Sequence, residues 1–151
     1  MDQVGSGRRI VVGIDGSAPA REALRWAAKE AQLRGAELHV VGVWSFPAYL
    51  DPMGGVHPLP SLMEATEARE RKLLDDEILG VLGTLPPVPI VRTLRCGSTA
   101  PELLAEAQGA DLLVVGSRGR GGFLSVLLGS TAMHCVQHGA VPVAVVRSPR
   151  T

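Results

Sequence analysis

The chain has 151 residues, with 15 basic and 15 acidic side chains, 46% hydrophobic residues and two cysteines. A chain of this length and hydrophobicity can bury a core without disulfides or a structural metal. A net charge of zero argues against the concentrated basic face that nucleic-acid binding needs. No apolar run approaches the roughly 18 residues of a membrane span, and residues 1–9 lack the apolar region of a secretory signal, so we expect a soluble, cytoplasmic protein.

Hydrophobic runs of strand length alternate with helix-length segments along the first half of the chain. The run 9–14 ends in a turn cluster, Asp15-Gly16-Ser17, that can also supply a helix N-cap. Apolar residues then recur at helical spacing as far as Gly35, a candidate C-cap. A second strand is predicted over 37–44, and the Pro-rich stretch 46–60 is predicted to be a loop that continues neither kind of element.

The second half shows the same alternation. A helix over 61–82 is predicted to end before three prolines, and the polar strand that follows is typical of a sheet edge. Thr99 and Glu102 have capping-box spacing at the start of a short helix. The remaining predicted elements are strand 89–95, strand 111–116, helix 130–138 and strand 141–146.

The resulting order, βαβαβαβαβ, predicts an α/β fold in which a parallel sheet is covered by helices on both faces. We expect a single domain over 9–148, preceded by a flexible leader over 1–8. In such doubly wound sheets, ligands bind beyond the carboxyl ends of the strands, where the winding direction reverses.

Two strand ends contain residues that suit a nucleotide. A glycine-rich segment, 116–122, follows the fourth strand, and Gly129, Ser130 and Thr131 stand at the start of the next helix. Glycines let backbone N–H groups approach an anion, and the helix start adds free N–H groups, hydroxyls and the positive end of the helix dipole. Asp15, after the first strand, could accept from ribose hydroxyls or could simply cap a helix. Neither end matches a P-loop or G-x-G-x-x-G, and an isolated glycine pair more often forms only a turn.

The spacing Gly-x2-Gly-x9-Gly-Ser, formed by Gly116, Gly119, Gly129 and Ser130, resembles the ATP-binding signature of universal stress proteins. The resemblance extends over nearly the whole chain, including segments 12–17, 93–98, 110–122 and 141–147. It implies a Rossmann-like, five-stranded parallel sheet of order 3-2-1-4-5, a homodimer paired through the last strand, and bound ATP.

The resemblance also implies individual roles. Asp15 would contact the ribose, Val43 would contact the adenine through its backbone, and the start of the last helix would hold the terminal phosphates. Mg²⁺ is expected only together with ATP, and neither a catalytic nor a metal-ligating residue is predicted. The predicted nucleotide-contacting residues are Gly13, Asp15, Val43, Val115, Gly116, Ser117, Arg118, Gly119, Gly129, Ser130 and Thr131.

The function that this resemblance implies is an ATP-binding, nucleotide-responsive regulator of the stress response. Little or no hydrolysis is expected, because phosphoryl transfer needs an oriented nucleophile and the sequence offers no dedicated base for it. Two alternatives remain open: a slow ATPase or phosphotransferase, and a dimeric interaction module that binds AMP, a cyclic nucleotide or nothing.

The other side chains that could bind a metal or react are interpreted as structural. His134 and His138 have metal-ligand spacing, but the sequence offers no third ligand, so surface or dimer contacts are favoured. Cys96 and Cys135 are expected to be reduced, mostly buried thiols, and Cys96 has no evident base partner.

The last strand predicts an interface. Val141, Val143 and Val145 would lie at a sheet edge, and an unpaired apolar edge usually needs covering. Two-fold pairing of two copies of the chain through this strand is therefore expected.

Overall fold

The computed structural model describes residues 7–119 and 127–149. Its elements in chain order are β1 (Arg9–Ile14), α1 (Ala18–Arg34), β2 (Glu37–Trp44), β3 (Ala48–Leu50), β4 (Val56–Pro58), α2 (Pro60–Leu82), β5 (Ile90–Cys96), α3 (Thr99–Glu106), β6 (Leu112–Gly116), α4 (Ser130–His138) and β7 (Val143–Val146). Most of the predicted leader, the end of the glycine-rich segment at 120–122 and residues 123–126 lie outside the described residues.

The main sheet has five parallel strands in the order β5-β2-β1-β6-β7. Counted among these five strands alone, this order is 3-2-1-4-5, so the predicted α/β class and parallel sheet are confirmed. The winding reverses between β1 and β6, which pair directly with one another. A ligand site is therefore expected at the carboxyl ends of these two strands.

The central strands β1 and β6 bury side chains on both faces because each contains a nearly continuous run of apolar residues. Alternate residues of β1 show the division: Ile10 and Val12 pack with α1 and α2, whereas Val11 packs with α3 and α4. All three side chains are fully buried. Burial on both faces is what distinguishes a central parallel strand from the one-sided alternation of an antiparallel sheet.

Helix α1 begins and ends where its sequence predicts. The hydroxyl of Ser17, the N-cap residue, accepts from the Ala20 N–H at 3.3 Å, and Gly35 closes the helix in the left-handed conformation with φ 62°. Its buried face consists almost entirely of alanine, which lets the helix axis approach the sheet closely. The buried residues are Ala20, Ala23, Leu24, Ala27, Ala28 and Ala31.

The prediction of a loop over 46–60 was wrong in one respect, because a short antiparallel hairpin, β3–β4, forms within it. The Asp51 side chain accepts from the N–H groups of Met53 and Gly55, at 2.9 and 2.8 Å, and so builds the turn itself. His57 bonds the same carboxylate at 2.6 Å. These contacts, with that of His57 the largest, lower the pKa of Asp51.

The predicted capping box of α3 was also wrong. The N-cap is Ser98, not Thr99, and its side chain makes no capping hydrogen bond. Glu102 is instead engaged by Arg95, which donates to Glu102 and Glu106 at 2.5 and 2.8 Å. The two carboxylates raise the pKa of Arg95. The Glu102 carboxylate thus pairs with Arg95 of β5 and does not cap the start of α3.

The remaining predicted boundaries differ from the structure by one or two residues. The largest difference is at the last strand, which begins at Val143, so Val141 lies outside it. Among the described residues, no helix combines the length and apolar character needed to cross a membrane.

Candidate functional site

A cavity of about 360 Å³ lies beyond the carboxyl ends of β1, β2 and β6, where the winding reverses. Its volume is within the range of roughly 300–1,000 Å³ that is typical of small-molecule sites. The lining residues are Gly13, Ile14, Asp15, Ala20, Val41, Gly42, Val43, Glu70, Leu73, Leu74, Glu77, Leu94, Thr99, Leu103, Val115, Gly116, Arg118, Gly119, Gly129, Ser130, Thr131 and Ala132.

Ten of the eleven residues predicted to contact a nucleotide line this cavity. Ser117 is the exception, because it is buried and does not belong to the lining. Its N–H donates to the Val146 carbonyl at 2.8 Å, and its own carbonyl accepts from the Gly129 N–H at 2.6 Å. Ser117 therefore ties the glycine-rich segment to β7 and to the start of α4, a role that its place in the sequence pattern did not reveal.

Gly116 allows the end of β6 to pack directly against the start of α1. A Cβ at this position would lie 2.8 Å from the carbonyl carbon of Pro19 and 2.9 Å from the backbone nitrogen of Ala20. Both neighbours are backbone atoms, which cannot rotate aside as a flexible side chain can. Any larger residue would push β6 and α1 apart at the wall of the cavity.

Gly119 and Gly129 bring two other chain segments close together. A Cβ on Gly119 would lie 2.9 Å from Oδ2 of Asp15, and one on Gly129 would lie 3.1 Å from the Cα of Arg118. The backbone of the segment after β6 thus runs beside the Asp15 carboxylate and returns to the start of α4. Because glycine has no side chain, the backbone on this side of the cavity is accessible for N–H contacts to an anion.

Asp15 is not the N-cap of α1, because Ser17 has that role. Oδ1 of Asp15 accepts from the Ser17 N–H at 2.9 Å, which fixes the carboxylate in the turn between β1 and α1. The same residue lines the cavity. Of the two roles that the sequence left open, helix capping is excluded, and a fixed acceptor at the cavity wall is what the geometry provides.

The start of α4 lies next to the segment after β6, because Gly129 approaches Arg118 and Gly119. The helix begins at Ser130 after Gly129, and no side chain caps it. The first N–H groups of a helix have no partner within it, and they lie at the positive end of the helix dipole. Ser130, Thr131 and Ala132 all line the cavity, so these groups and two hydroxyls are available to an anion.

Helix α2 contributes residues that the sequence analysis missed. Glu70, Leu73, Leu74 and Glu77 line the cavity, and Oε1 of Glu77 accepts from the Gly16 N–H at 3.2 Å. Their spacing, with two acids seven residues apart around an apolar pair, places them on one helix face. That spacing was visible in the sequence, but nothing local indicated that this face meets the ends of β1 and β2.

The cysteines and paired histidines lie outside the cavity lining. Burial raises the pKa of both thiols, and the carboxylate of Glu102 adds to the effect at Cys96, which fits the interpretation of unreactive structural thiols. The rings of His134 and His138 are 4.5 Å apart. Within the described ranges, no group of three or more side chains is arranged to hold a metal ion.

The sequence model that describes the universal stress protein family matches residues 7–147 of this chain. This chain belongs to the universal stress protein family. A universal stress protein of Mycolicibacterium smegmatis is 38% identical over 138 residues, which cover 91% of this chain and 45% of the relative. A universal stress protein of Mycobacterium tuberculosis is also 38% identical, over 141 residues that cover 93% of this chain and 44% of the relative. The chain thus spans about half the length of the curated relatives it matches.

Solved structures of universal stress proteins share the fold. UspA from Lactobacillus plantarum has a TM-score of 0.75 and 25% identity, with 95% of this chain and 99% of that one covered. A universal stress protein from Archaeoglobus fulgidus, solved in complex with dAMP, has a TM-score of 0.55 and 25% identity, with 92% and 97% covered. The resemblance derived from the glycine spacing is therefore confirmed at the level of the family.

The contact at Gly116 predicts a loss of stability on substitution in this universal stress protein. Gly116→Ala should lower the free energy of unfolding by about 1–3 kcal/mol, because the new methyl group overlaps backbone atoms of α1. Gly80→Ala is the matched control: a Cβ there meets nothing within 4 Å, and alanine should stabilise α2 by up to about 1 kcal/mol. Urea denaturation measures both values, and equal stability of the two variants would contradict the assigned contact.

Proposed function

We propose that this protein binds ATP in the cavity at the ends of β1 and β6 and acts in the cytoplasm as a nucleotide-responsive regulator with little or no hydrolysis. The observation that carries the proposal is that one cavity combines two sets of groups. One set is a fixed carboxylate, Asp15, and the other is glycine backbone and the start of α4. These are the groups that a ribose and a phosphate chain respectively require.

The charges around the cavity favour one orientation of the proposed nucleotide. Asp15 and Glu77 lie together at the turn after β1, where both accept backbone N–H groups. The start of α4 and Arg118 contribute positive charge to the same lining. A polyphosphate is repelled by the carboxylates and attracted by the helix start, so the phosphates belong at Ser130 and Thr131, with the ribose at Asp15 and the adenine at the backbone of Val43.

The complex of the Archaeoglobus fulgidus protein with dAMP supports an adenine nucleotide as the ligand. In the proposed orientation, a monophosphate would occupy only the near part of the cavity, whereas the longer chain of ATP would reach the hydroxyls at the start of α4. The groups proposed to meet the terminal phosphates are amides and hydroxyls, which bind and position. The lining carboxylates nearest β1 are held by backbone N–H groups of the turn, which suits binding better than proton abstraction at the terminal phosphate.

Removal of the Asp15 carboxylate should weaken ATP binding. Asp15→Ala loses charged hydrogen bonds to the ribose, so the dissociation constant should rise roughly 10- to 100-fold in isothermal titration calorimetry. Asp76→Ala is the matched control, since Asp76 is an exposed residue of α2 that pairs with Lys72 outside the cavity. It should bind ATP like the wild type.

Two outcomes would contradict the proposal. Absence of binding by the wild type at millimolar ATP would remove the nucleotide site. Steady release of phosphate from ATP that disappears in the Asp15→Ala protein would instead favour the slow ATPase or phosphotransferase.

We further propose that two copies of the chain pair through β7. This strand lies at the edge of the sheet. The Pro142 carbonyl accepts from Leu113 of β6, and the Val146 carbonyl accepts from Ser117 just after β6. Because backbone direction alternates along a strand, the N–H and C=O groups of Val143 and Val145 face outward. The side chains of Val143 and Val145 pack against the cluster of α3 and α4. The outward backbone of this apolar strand, with its side chains on the sheet faces, is thus the proposed pairing surface.

Substitution with proline tests this pairing. Val145→Pro removes an outward N–H without removing a bond to β6, so light scattering should show the mass of one chain, 15.9 kDa, where the wild type shows twice that value. Val145→Ala keeps the N–H and should remain a dimer. A monomeric wild type at micromolar concentration would contradict the proposal.

A further inference from the structure

Helix α2 presents two acidic residues to the cavity. Of its charged side chains, only Glu70 and Glu77 are half-buried, and the others are exposed. They are seven residues apart, so they lie on the same face of the helix, and both line the cavity together with Leu73 and Leu74 between them. Their positions along this face give them different neighbours.

The carboxylate of Glu77 accepts a hydrogen bond from the protein, whereas that of Glu70 does not. Glu77 accepts from the Gly16 N–H in the turn after β1. Glu70 forms no hydrogen bond or ion pair with any residue in the part of the chain that the structure describes. A half-buried carboxylate has lost part of its hydration and gains from a donor, so a ligand that brings an N–H to Glu70 would be favoured.

Glu70 lies at the end of the cavity formed by β2 and β5. Leu74, one turn away on the same face, lies over the end of β2: a Cβ on Gly42 would be 3.5 Å from Leu74 and 3.4 Å from Leu94. One turn in the other direction, Glu67 is close enough to the last residue of β5 to raise the pKa of Cys96. This end of the cavity adjoins Val43, where the adenine is proposed to bind, and β1 separates it from the end of β6, where the start of α4 lies.

We propose that Glu70 selects the base by accepting a hydrogen bond from the exocyclic amino group of adenine. The proposal rests on the proposed nucleotide site and adds its specificity. The amino group of adenine has two N–H donors, one for the backbone at Val43 and one for the Glu70 carboxylate. Guanine and hypoxanthine have an oxygen acceptor at the same ring position. A carboxylate facing that oxygen is left without a donor and repels it, so such bases are disfavoured.

The test compares ATP with inosine triphosphate, in which a carbonyl oxygen replaces the amino group of the adenine ring. The wild type should bind ATP at least roughly tenfold more tightly, because a hydrogen bond to a charged acceptor is lost with the inosine nucleotide. In Glu70→Gln the neutral amide can accept from an amino group or donate to an oxygen. The ratio of the dissociation constants of inosine triphosphate and ATP should therefore fall toward one. Glu64→Gln, an exposed neighbour on α2 outside the lining, should keep the wild-type preference.

The outcomes separate this inference from the proposed function. Equal binding of the two nucleotides by the wild type, or an unchanged preference in Glu70→Gln, would overturn the role of Glu70 and leave the ATP site intact. If the wild type binds neither nucleotide, the proposed function itself fails. A Glu70→Ala protein with a native circular dichroism spectrum and a lost preference would support the same role, since alanine offers neither donor nor acceptor.

Discussion

The contact between the end of β6 and the first turn of α1 is the constraint on which the site depends. Gly116 has backbone atoms of Pro19 and Ala20 where a side chain would be, so only glycine lets the two elements meet. This approach places the segment after β6 beside Asp15, and the hydrogen bond between Gly129 and Ser117 returns the chain to the start of α4. The result is a cavity lined by glycine backbone, by the start of α4 and by the Asp15 carboxylate.

The acidic groups and the anion-binding groups of this cavity come from different elements of the fold. The acidic side chains are contributed by the turn after β1 and by α2, whereas the amides and hydroxyls come from the start of α4. The chain as a whole has no net charge, so no broad field attracts polyanions. A phosphate chain can still be held locally, because the free N–H groups of a helix start act over only a few ångströms. Neutral composition and anion binding are therefore compatible in this fold.

The sheet could be predicted because its causes are local, and the glycine positions because their spacing resembles a family signature. Apolar β-branched runs form buried strands, Ser17 caps the helix that follows it, and the spacing from Gly116 to Gly129 is typical of the family. The features that were missed depend on individual side-chain contacts that a hydrophobic pattern does not indicate. The α3 cap was lost to Arg95 on a neighbouring strand, and the position of Glu70 in the cavity depends on how α2 crosses the sheet. The family assignment was confirmed, whereas the ligand and the dimer stay predictions.

The most direct test of the nucleotide site is an amide chemical-shift comparison of ATP with adenosine. If the cavity holds the nucleotide as proposed, both ligands should shift the amides of Gly13 and Val43 at the nucleoside end. Only ATP should shift those of Ser130, Thr131 and Ala132 at the start of α4. Shifts at α4 with adenosine alone would contradict the orientation, and ATP-induced shifts confined to residues outside the cavity would contradict the site.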